Sequence, residues 1–172
     1  MMCTREPLNS TRLDLVPLEK EDYESLYLAA NDPEIWAQHP DPLRYTPYGF
    51  TKYFRTLLGT DLPYVIVDKA TQRVIGASAF YQYDEAKKTV TIGYTFLNKN
   101  YWGGSYNKEL KSLMLNHAFK YVDRVFFYVG MDNQRSKKAL EKIRAVQEAE
   151  TTEASAAGKL LYSLSKTDFL SA

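Results

Sequence analysis

A glycine-rich turn between an alternating strand and an amphipathic helix is the first place in this sequence where chemistry could occur. The turn spans residues 97–107 and contains Gly103 and Gly104 side by side. A helix that begins directly after such a turn leaves several backbone N–H groups unpaired at the positive end of its dipole. These groups form a candidate phosphate site, although two glycines before a helix also fit an ordinary turn. The segment is neither a Walker A loop nor a complete Gly-x-Gly-x-x-Gly motif.

Aromatic side chains and one histidine supply further candidates. His39 lies in the proline-rich stretch 33–47, where it could line an acceptor cleft, act as a base or simply be exposed. Trp36, Tyr45 and Tyr94 could form the walls of a substrate pocket, or could pack in the core. The residue types alone leave both interpretations open.

The other reactive residue types do not form a metal or hydrolase motif. The chain has two histidines, one cysteine and no nucleophile elbow, so we expect neither a metal site nor a Ser-His-Asp hydrolase. His117 falls on the apolar stripe of a helix and is predicted to be a core histidine with its hydrogen bonds satisfied. Cys3 lies near the N-terminus, and we assign it no catalytic role.

The composition narrows the class of protein. The 172 residues are 45% hydrophobic and 25% charged, with a formal net charge of +1. That is enough for one domain with a substantial core. The sequence has no block of basic residues, so we expect no nucleic-acid partner. It has no apolar run long enough to span a membrane, so we expect no membrane partner. A single cysteine permits no intrachain disulfide, which favours a reducing compartment and hence a cytoplasmic location. We expect a flexible N-terminus over residues 1–10 and one domain over residues 11–172.

Hydrophobic periodicity predicts the element order β-α-α-β-β-β-α-β-α-β. Three consecutive strands joined by short polar turns imply an antiparallel sheet. The next strand is reached through the glycine-rich turn and a helix, which implies a right-handed crossover between parallel strands. The expected fold is therefore an α/β fold with an α+β-type mixed sheet, antiparallel in its N-terminal strands and parallel at its centre.

For two of the predicted strands the sequence also indicates a position in the sheet or the direction of the side chains. Residues 12–18 predict a short edge strand, because Pro17 cannot donate a hydrogen bond to a neighbouring strand. Residues 89–97 alternate cleanly, and successive side chains of a strand point to opposite faces. The alternation predicts one face formed by Val90, Ile92, Tyr94 and Phe96.

The order of these elements, with this turn in this place, resembles the GNAT superfamily of N-acetyltransferases. Within it, the sequence is most similar to the branch that includes the ribosomal-protein N-terminal acetyltransferases. The similarity runs from about residue 12 to residue 145 and rests on the order and spacing of several short motifs. These are residues 12–18, Ile92-Gly93-Tyr94, Tyr101-Trp102-Gly103, residues 133–136, residues 139–143 and, more weakly, residues 162–164.

The resemblance implies a fold and a cosubstrate. In this family the central parallel strands splay apart around acyl-CoA, and helices cover both faces of the sheet. The pantetheine arm of acetyl-CoA would then pair with the backbone at Phe96 and Leu97, beside Asn133 and Ser136. The pyrophosphate would lie on the amides of Trp102, Gly103, Gly104, Ser105, Tyr106 and Asn107.

The resemblance also implies two catalytic positions. Gly93 would let its strand bulge and turn an N–H toward the thioester oxygen, as an oxyanion donor. Ser136 would donate a proton to the departing CoA thiolate, or would instead cap the following helix together with Asn133.

The sequence departs from the family pattern at several positions. Ser105 and Asn107 replace residues that are usually smaller in the pyrophosphate turn. Thr91 stands where many relatives have a glutamate base, and Leu140 where many have a tyrosine acid. Arg144 replaces a glycine that usually ends the helix. The family pattern therefore identifies no general base in this chain.

The expected activity is acetyl-CoA-dependent acetylation of a primary amine, on a protein N-terminus or a small molecule, by direct attack on the thioester. A general base contributes typically about 10²–10⁴-fold. An α-amine, with a pKa of roughly 7.7–8.0, can spare that base more easily than a lysine amine. The missing glutamate therefore favours an α-amino acceptor.

Two alternatives to an active enzyme stay open. One is a GNAT-like module that binds acyl-CoA, or a partner, without catalysis. The other is a domain in which Trp102 and Asn107 block the turn. GNAT relatives are commonly monomers or dimers, so we expect a monomer or homodimer.

Overall fold

An eight-stranded sheet runs through the computed structural model of this chain, which describes residues 2, 4–149, 153–154 and 157–171. Cys3 and much of the predicted loop 151–158 lie outside the described residues. The strands lie side by side in the order β1-β2-β3-β4-β5-β6-β8-β7. They are β1 (Leu8–Asn9), β2 (Leu13–Pro17), β3 (Leu62–Asp68), β4 (Arg73–Asp84), β5 (Thr89–Leu97), β6 (Arg124–Gly130), β7 (Val146–Gln147) and β8 (Lys159–Ser165).

The sheet combines antiparallel and parallel pairing. Strands β1 to β5 are antiparallel neighbours, β5 and β6 are parallel, and β8 is antiparallel to both β6 and β7. The predicted mixed sheet with a central parallel pair is confirmed. The sequence does not predict β7, because two exposed residues show no periodicity.

Helices cover both faces of the sheet, as the resemblance implies. One face, called the α1 face here, packs against the first three helices, and the other, the α4 face, packs against the next two. Each face has its own core of buried apolar side chains. The helices are α1 (Tyr23–Ala30), α2 (Pro33–Trp36), α3 (Pro47–Leu58), α4 (Tyr106–Ala118), α5 (Gln134–Lys142) and α6 (Lys166–Leu170).

Helix α3 shows how the sequence directs a helix onto the α1 face. The side chain of Thr46 caps it by accepting a hydrogen bond from the Gly49 N–H at 3.1 Å. Pro47 occupies the first helical position, where its missing N–H costs nothing. The buried residues that follow recur at helical spacing. They are Phe50, Tyr53, Phe54 and Leu57.

Strand β5 contains a bulge. Gly93 and Phe96 are three residues apart in β5, yet their partners in β4 are only two residues apart. Tyr94 and Thr95 therefore stand opposite the single residue Ser78. Tyr94 also has a left-handed φ of 55°, which is unusual for a residue with a large side chain. The bulge bends β5 at the middle of its length.

The bulge inverts the alternation of β5. Val90 and Ile92 pack on the α4 face, whereas Phe96 packs on the α1 face and Leu97 returns to the α4 face. The predicted single face through Val90, Ile92, Tyr94 and Phe96 is therefore wrong. One extra residue shifts the two-residue period by one position. The alternation of side chains does not mark it, although the resemblance implied a bulge at the adjacent Gly93.

The N-terminal segment contributes to the sheet. Leu8–Asn9 forms β1 and pairs with β2, and Met2 is buried in the core of the α4 face. Part of the segment that was expected to be flexible is thus packed. Strand β2 is covered by β1 at one end, so it is the second strand of the sheet rather than its edge.

Arg144 takes the left-handed conformation that a glycine would adopt after α5, with a φ of 67°. This conformation costs a residue with a side chain about 1–2 kcal/mol, but a glycine very little. We predict that Arg144→Gly raises the free energy of unfolding by about 1 kcal/mol, measured by urea denaturation. The matched variant Glu141→Gly, inside α5, should lower it by about 1 kcal/mol. Destabilisation by both substitutions would contradict this account of Arg144.

Candidate active site

Strands β5 and β6 pair over three residues and then separate. The parallel register joins Thr89, Val90 and Thr91 to Arg124, Val125 and Phe126. Beyond that point β5 continues to Leu97, while β6 follows β8 as far as Gly130. The separation expected from the resemblance is present, and a cavity of about 760 Å³ lies between the strands.

The glycine-rich turn lines this cavity. Gly103 has a φ of 73°, and no atom lies within 4 Å of the place where a Cβ would be. Gly104, Trp102 and Asn107 also line the cavity. Helix α4 begins at Tyr106, so its unpaired N–H groups lie directly after this turn.

Ser105 and Tyr106 direct their side chains toward Arg12 and do not line the cavity. Arg12 Nη2 donates a hydrogen bond to Ser105 Oγ at 2.7 Å, and the guanidinium lies 3.9 Å from the centre of the Tyr106 ring. Glu109 fixes Arg12 through an ion pair of 2.9 Å. Only the backbone amides of Ser105 and Tyr106 are left for the predicted phosphate contact.

A stack of Arg135 on Trp102 connects the two walls of the cavity. The Arg135 guanidinium lies 3.7 Å from the centre of the Trp102 ring, and its Nη2 donates to the carbonyl oxygen of Ile35 at 3.3 Å. Trp102 Nε1 donates to the carbonyl oxygen of Leu97 at 2.9 Å. Trp102 follows β5 and Arg135 follows β6, so the stack spans the gap between the separated strands. The sequence gives no signal for this pair, because the contact is tertiary.

Asn133 and Ser136 both line the cavity where α5 begins. Asn133 Oδ1 accepts a hydrogen bond from the Ser136 N–H at 3.2 Å, so Asn133 is the N-cap of α5. Ser136 contributes its backbone N–H to this cap. The capping side chain is therefore that of Asn133.

Gly93 allows the close approach of an aromatic ring. A Cβ at Gly93 would lie 2.8 Å from Cε1 of Tyr81, so any other residue here would require the Tyr81 ring to shift. The residue with the left-handed φ in the bulge is Tyr94 rather than Gly93, so Gly93 borders the bulge instead of forming it. Burial raises the pKa of Tyr81, which keeps its hydroxyl protonated.

The other predicted wall residues divide into two groups. Trp36, Tyr94, Phe96 and Leu97 line the cavity. Tyr45 does not: it packs at the edge of the α1-face core. The structure thus brings together three of the four predicted acceptor residues, with His39 as the third beside Trp36 and Tyr94.

Comparison with known proteins agrees with this geometry. A family model described as "Acetyltransferase (GNAT) domain" matches residues 12–146. This chain belongs to the GNAT acetyltransferase family. A search of the curated proteins finds no match. The sheet that separates between β5 and β6 is accordingly the GNAT fold, and the chain is an acyltransferase.

Solved structures share the fold of this acetyltransferase at low sequence identity. A GCN5-related N-acetyltransferase from Brucella melitensis aligns with a TM-score of 0.81 at 17% identity, over 97% of this chain and 81% of that one. Mycobacterium smegmatis RimJ in complex with CoA-disulfide aligns with a TM-score of 0.73 at 15% identity, over 96% and 90%. The microcin C7 self-immunity acetyltransferase MccE, in complex with acetyl-CoA and AMP, aligns with a TM-score of 0.71 at 18% identity, over 91% and 93%.

Searches for metal sites and membrane spans in the described part of this acetyltransferase give no candidates. No group of three or more His, Cys, Asp or Glu residues there could hold a metal ion. None of the helices described is both long and apolar enough to cross a bilayer.

The two family positions for proton transfer hold no ionisable group in this acetyltransferase. Thr91 is buried in the paired part of β5, and its hydroxyl donates to Gln82 Oε1 at 3.3 Å. Leu140 is buried and lines the cavity with an apolar side chain. Neither position can supply a general base or acid.

The two histidines have different surroundings. His117 is buried on α4, as predicted, but neither ring nitrogen makes a hydrogen bond within the described residues. The expectation that its hydrogen bonds are satisfied is therefore wrong. His39 lines the cavity, and its pKa is lowered to about 3 by burial and by the charges of Arg44 and Lys159. Its Nδ1 accepts a hydrogen bond from the Asp41 N–H at 3.0 Å. His39 is therefore neutral near pH 7, and its low pKa makes it a weak base.

Lys111 is a buried cation that the sequence analysis did not single out. It comes from α4, lines the cavity, and donates from Nζ to Thr95 Oγ1 at 3.4 Å. Its Nζ lies 5.5 Å from the centre of the Phe127 ring. Burial lowers its pKa to about 8. In the sequence, its burial could have been suspected only from its position directly after Leu110, a residue of the apolar stripe of α4.

The Lys111 ammonium should make stability depend on pH. Its folded pKa, about 8, lies below its ordinary 10.5, so above about pH 8 the unfolded chain binds more protons than the folded one. The free energy of unfolding should therefore rise by about 2 kcal/mol between about pH 7 and pH 9.5. The Lys111→Met variant should be more stable than the parent at the lower pH and lack this share of the rise. Denaturant titrations at both pH values measure it, and parallel curves for the two proteins would contradict it.

Proposed function

We propose that this chain transfers an acetyl group from acetyl-CoA to a primary amine in the cleft between β5 and β6. The observation that carries the proposal is the lining of that cleft. Basic side chains occur at seven lining positions, and none of the lining residues that the structure describes is acidic. The seven are Arg44, Lys108, Lys111, Arg135, Lys138, Lys142 and Lys159.

The α4 face of the cleft suits the phosphates of CoA. Lys108 lies in the first turn of α4, directly after the glycine-rich turn, and Lys138 and Lys142 come from α5. A helix N-terminus with nearby cations attracts phosphate oxygens. Asn107 and Trp102 both line the cavity. Acetyl-CoA would therefore have to pass beside the stack of Arg135 on Trp102 or displace it.

The unpaired edge of β5 suits the pantetheine arm. Beyond Thr91 this edge has no strand partner, and an extended amide chain could pair with it as an added strand does. Phe96 and Leu97 lie on this stretch, although the Leu97 carbonyl already accepts from Trp102. Asn133 and Ser136 face it across the cavity.

The chain's own groups would assist transfer chiefly by orientation and hydrogen bonding. A neutral amine attacks the thioester carbonyl directly, and CoA departs as the thiol. The N–H groups at the β5 bulge, from Gly93 to Thr95, are the proposed oxyanion donors. Ser136 is the proposed proton donor to the departing sulfur. The proton that the amine nitrogen loses as the amide forms restores the serine hydroxyl, directly or through water. An α-amine needs no strong base near neutral pH, which agrees with Thr91, Leu140 and the neutral His39.

Several finer features are proposed on the same basis. Residues 11–172 would act as one domain, as a monomer or homodimer in the cytoplasm. The acceptor would be a protein N-terminus or a small amine. Trp36, His39 and Tyr94 would contact it, whereas Tyr45 lies outside the cavity.

A module that binds acyl-CoA without turnover is the second candidate. The observation in its favour is the chemistry of positions 91 and 140, where a buried threonine and a leucine supply no proton-transfer group. Affinity for CoA without acetylation of any amine would distinguish it from the enzyme.

Acetyl-CoA should bind this protein with micromolar affinity in calorimetric titration, and desulfo-CoA should bind comparably because the phosphates dominate. Lys138→Glu should weaken binding about tenfold or more, since it reverses a charge in the cleft. Lys120→Glu, at an exposed position outside the cleft, is the matched control and should have little effect. Absence of binding at millimolar acetyl-CoA would remove the support for both candidate functions.

The Ser136→Ala variant should lose turnover while retaining affinity for acetyl-CoA. Loss of a general acid reduces rates typically by about 10²-fold or more, whereas the Asn133 cap does not depend on the serine hydroxyl. Steady-state release of CoA thiol measures the rate, and Ser136→Thr, which keeps a hydroxyl, should restore part of it. Equal rates for the parent and Ser136→Ala would remove Ser136 from the mechanism.

A further inference from the structure

Two cations lie on the α1-face side of the cavity, away from the proposed phosphate site. Arg44 comes from the 3₁₀ turn Pro42–Tyr45, between α2 and α3. Lys159 begins β8 and pairs with Gly130 at the end of β6. Leu160 and Tyr162 pack on the α4 face, so alternation along β8 directs Lys159 to the opposite, α1 side. The lysines of α4 and α5 lie on the other side of the sheet.

The charge of Arg44 is only partly compensated. Its side chain is 14% exposed, and its Nε lies 3.6 Å from Oδ2 of Asp41, whose side chain is 42% exposed. The Nε atom is buried and makes no hydrogen bond within the described residues. The guanidinium lies 4.9 Å from the centre of the Tyr53 ring and 5.6 Å from that of Trp36. Aromatic faces attract a cation but do not neutralise it.

The positive charge of Lys159 is compensated even less than that of Arg44. It makes no ion pair with any acid in the described part of the chain. Burial lowers its pKa, and the charge of Arg44 lowers it further, so the two cations are close enough to repel each other. Two partly buried like charges destabilise a folded protein unless an anion joins them. Arg44 Nη1 lies 3.3 Å from Nε2 of His39, which is neutral and therefore adds no charge.

We infer that Arg44 and Lys159 bind an acid group, a carboxylate or a phosphate, that is carried by the acceptor amine. The inference rests on the proposed function, because it assigns the α1 side of the cleft to the acceptor. An oxyacid group can accept hydrogen bonds from a guanidinium and an ammonium at once. The amine of the same molecule would then reach the gap between β5 and β6 from the side opposite the phosphate site. The acceptors of this enzyme are therefore anionic amines.

Ion binding provides the first test. Inorganic phosphate and acetate are titrated calorimetrically into the full chain saturated with CoA, which fills the phosphate site of the α4 face. We expect saturable binding of at least one ion, weakened about tenfold or more by Lys159→Met. Lys120→Met, which removes an exposed charge outside the cavity, should leave it unchanged. Equal affinity in the parent and Lys159→Met, or no saturable binding of either ion, would overturn the inference.

Asp41→Asn gives a test in the opposite direction. The Asp41 carboxylate competes with an incoming acid group for Arg44, so its removal should tighten ion binding about threefold or more. Loss of fold is not expected, because the Asp41 side chain is only partly buried, with 42% of it exposed. Weaker binding in Asp41→Asn would count against the inference.

Turnover of matched amines distinguishes a carboxylate from a phosphate. Phenylalanine and phenylalaninamide differ by a carboxylate, and O-phosphoethanolamine and ethanolamine differ by a phosphate. In at least one pair, the kcat/KM ratio of the acid to the uncharged amine should fall about tenfold in Lys159→Met. That pair identifies the acid, whereas unchanged ratios in both pairs would overturn the inference.

The inference and the proposed function can fail separately. If CoA binds and no amine is acetylated, the transferase proposal fails while the ion titrations still decide on Arg44 and Lys159. If CoA does not bind, the same titrations are made on the free protein. Acetylation that ignores the acid group, together with no ion binding, would leave the transferase standing and remove the acid site.

Discussion

The separation of β5 from β6 after three paired residues is the constraint on which the cleft depends. Buried backbone N–H and C=O groups require partners. The edge of β5 that faces β6 has none from β6 beyond Thr91. Side chains satisfy two carbonyls of this stretch: the Trp102 indole donates to that of Leu97, and the Tyr53 hydroxyl to that of Tyr94. The bulge at Tyr94 bends the strand where the separation begins. The sheet therefore holds an incomplete ladder at its centre, and the helices on its two faces keep that opening from closing.

Charged side chains are distributed unevenly between the cleft and the rest of the protein. The chain carries a net charge of +1. Several of its acids form ion pairs outside the cleft, as in the pairs of Glu109 with Arg12 and Asp32 with Lys99. The cavity keeps basic residues without acidic ones. A concave site of one sign attracts anions more strongly than the net charge suggests. The phosphate side and the acceptor side of the cleft would then share one electrostatic character while facing different molecules.

Local rules were sufficient for most of the fold. The three antiparallel strands, the parallel crossover and the Asn133 cap each follow from a period, a turn or a short-range hydrogen bond, and the sequence predicts them. The resemblance implied a bulge at Gly93, and the structure has one directly after it, at Tyr94 and Thr95. The alternation alone did not reveal it, because Tyr94 continues the alternating pattern through the point where the backbone departs from it. Strand β1 was not predicted, because a strand of two residues is too short to show a period. Within the site, burial by elements distant in sequence lowers the pKa of Lys111 and leaves the charge of Arg44 only partly compensated. Residue type and spacing cannot indicate such burial.

Trp102 lies across the gap between the walls of the cleft, held by Arg135 above and by the Leu97 carbonyl beside it. The chain has two tryptophans, and the other, Trp36, lines the same cavity. All indole fluorescence from this protein therefore originates at the cleft. A guanidinium stacked on one indole is displaced whenever a molecule separates the pair, so the fold contains its own optical reporter of occupancy. Events elsewhere on the surface would leave that emission largely unaltered.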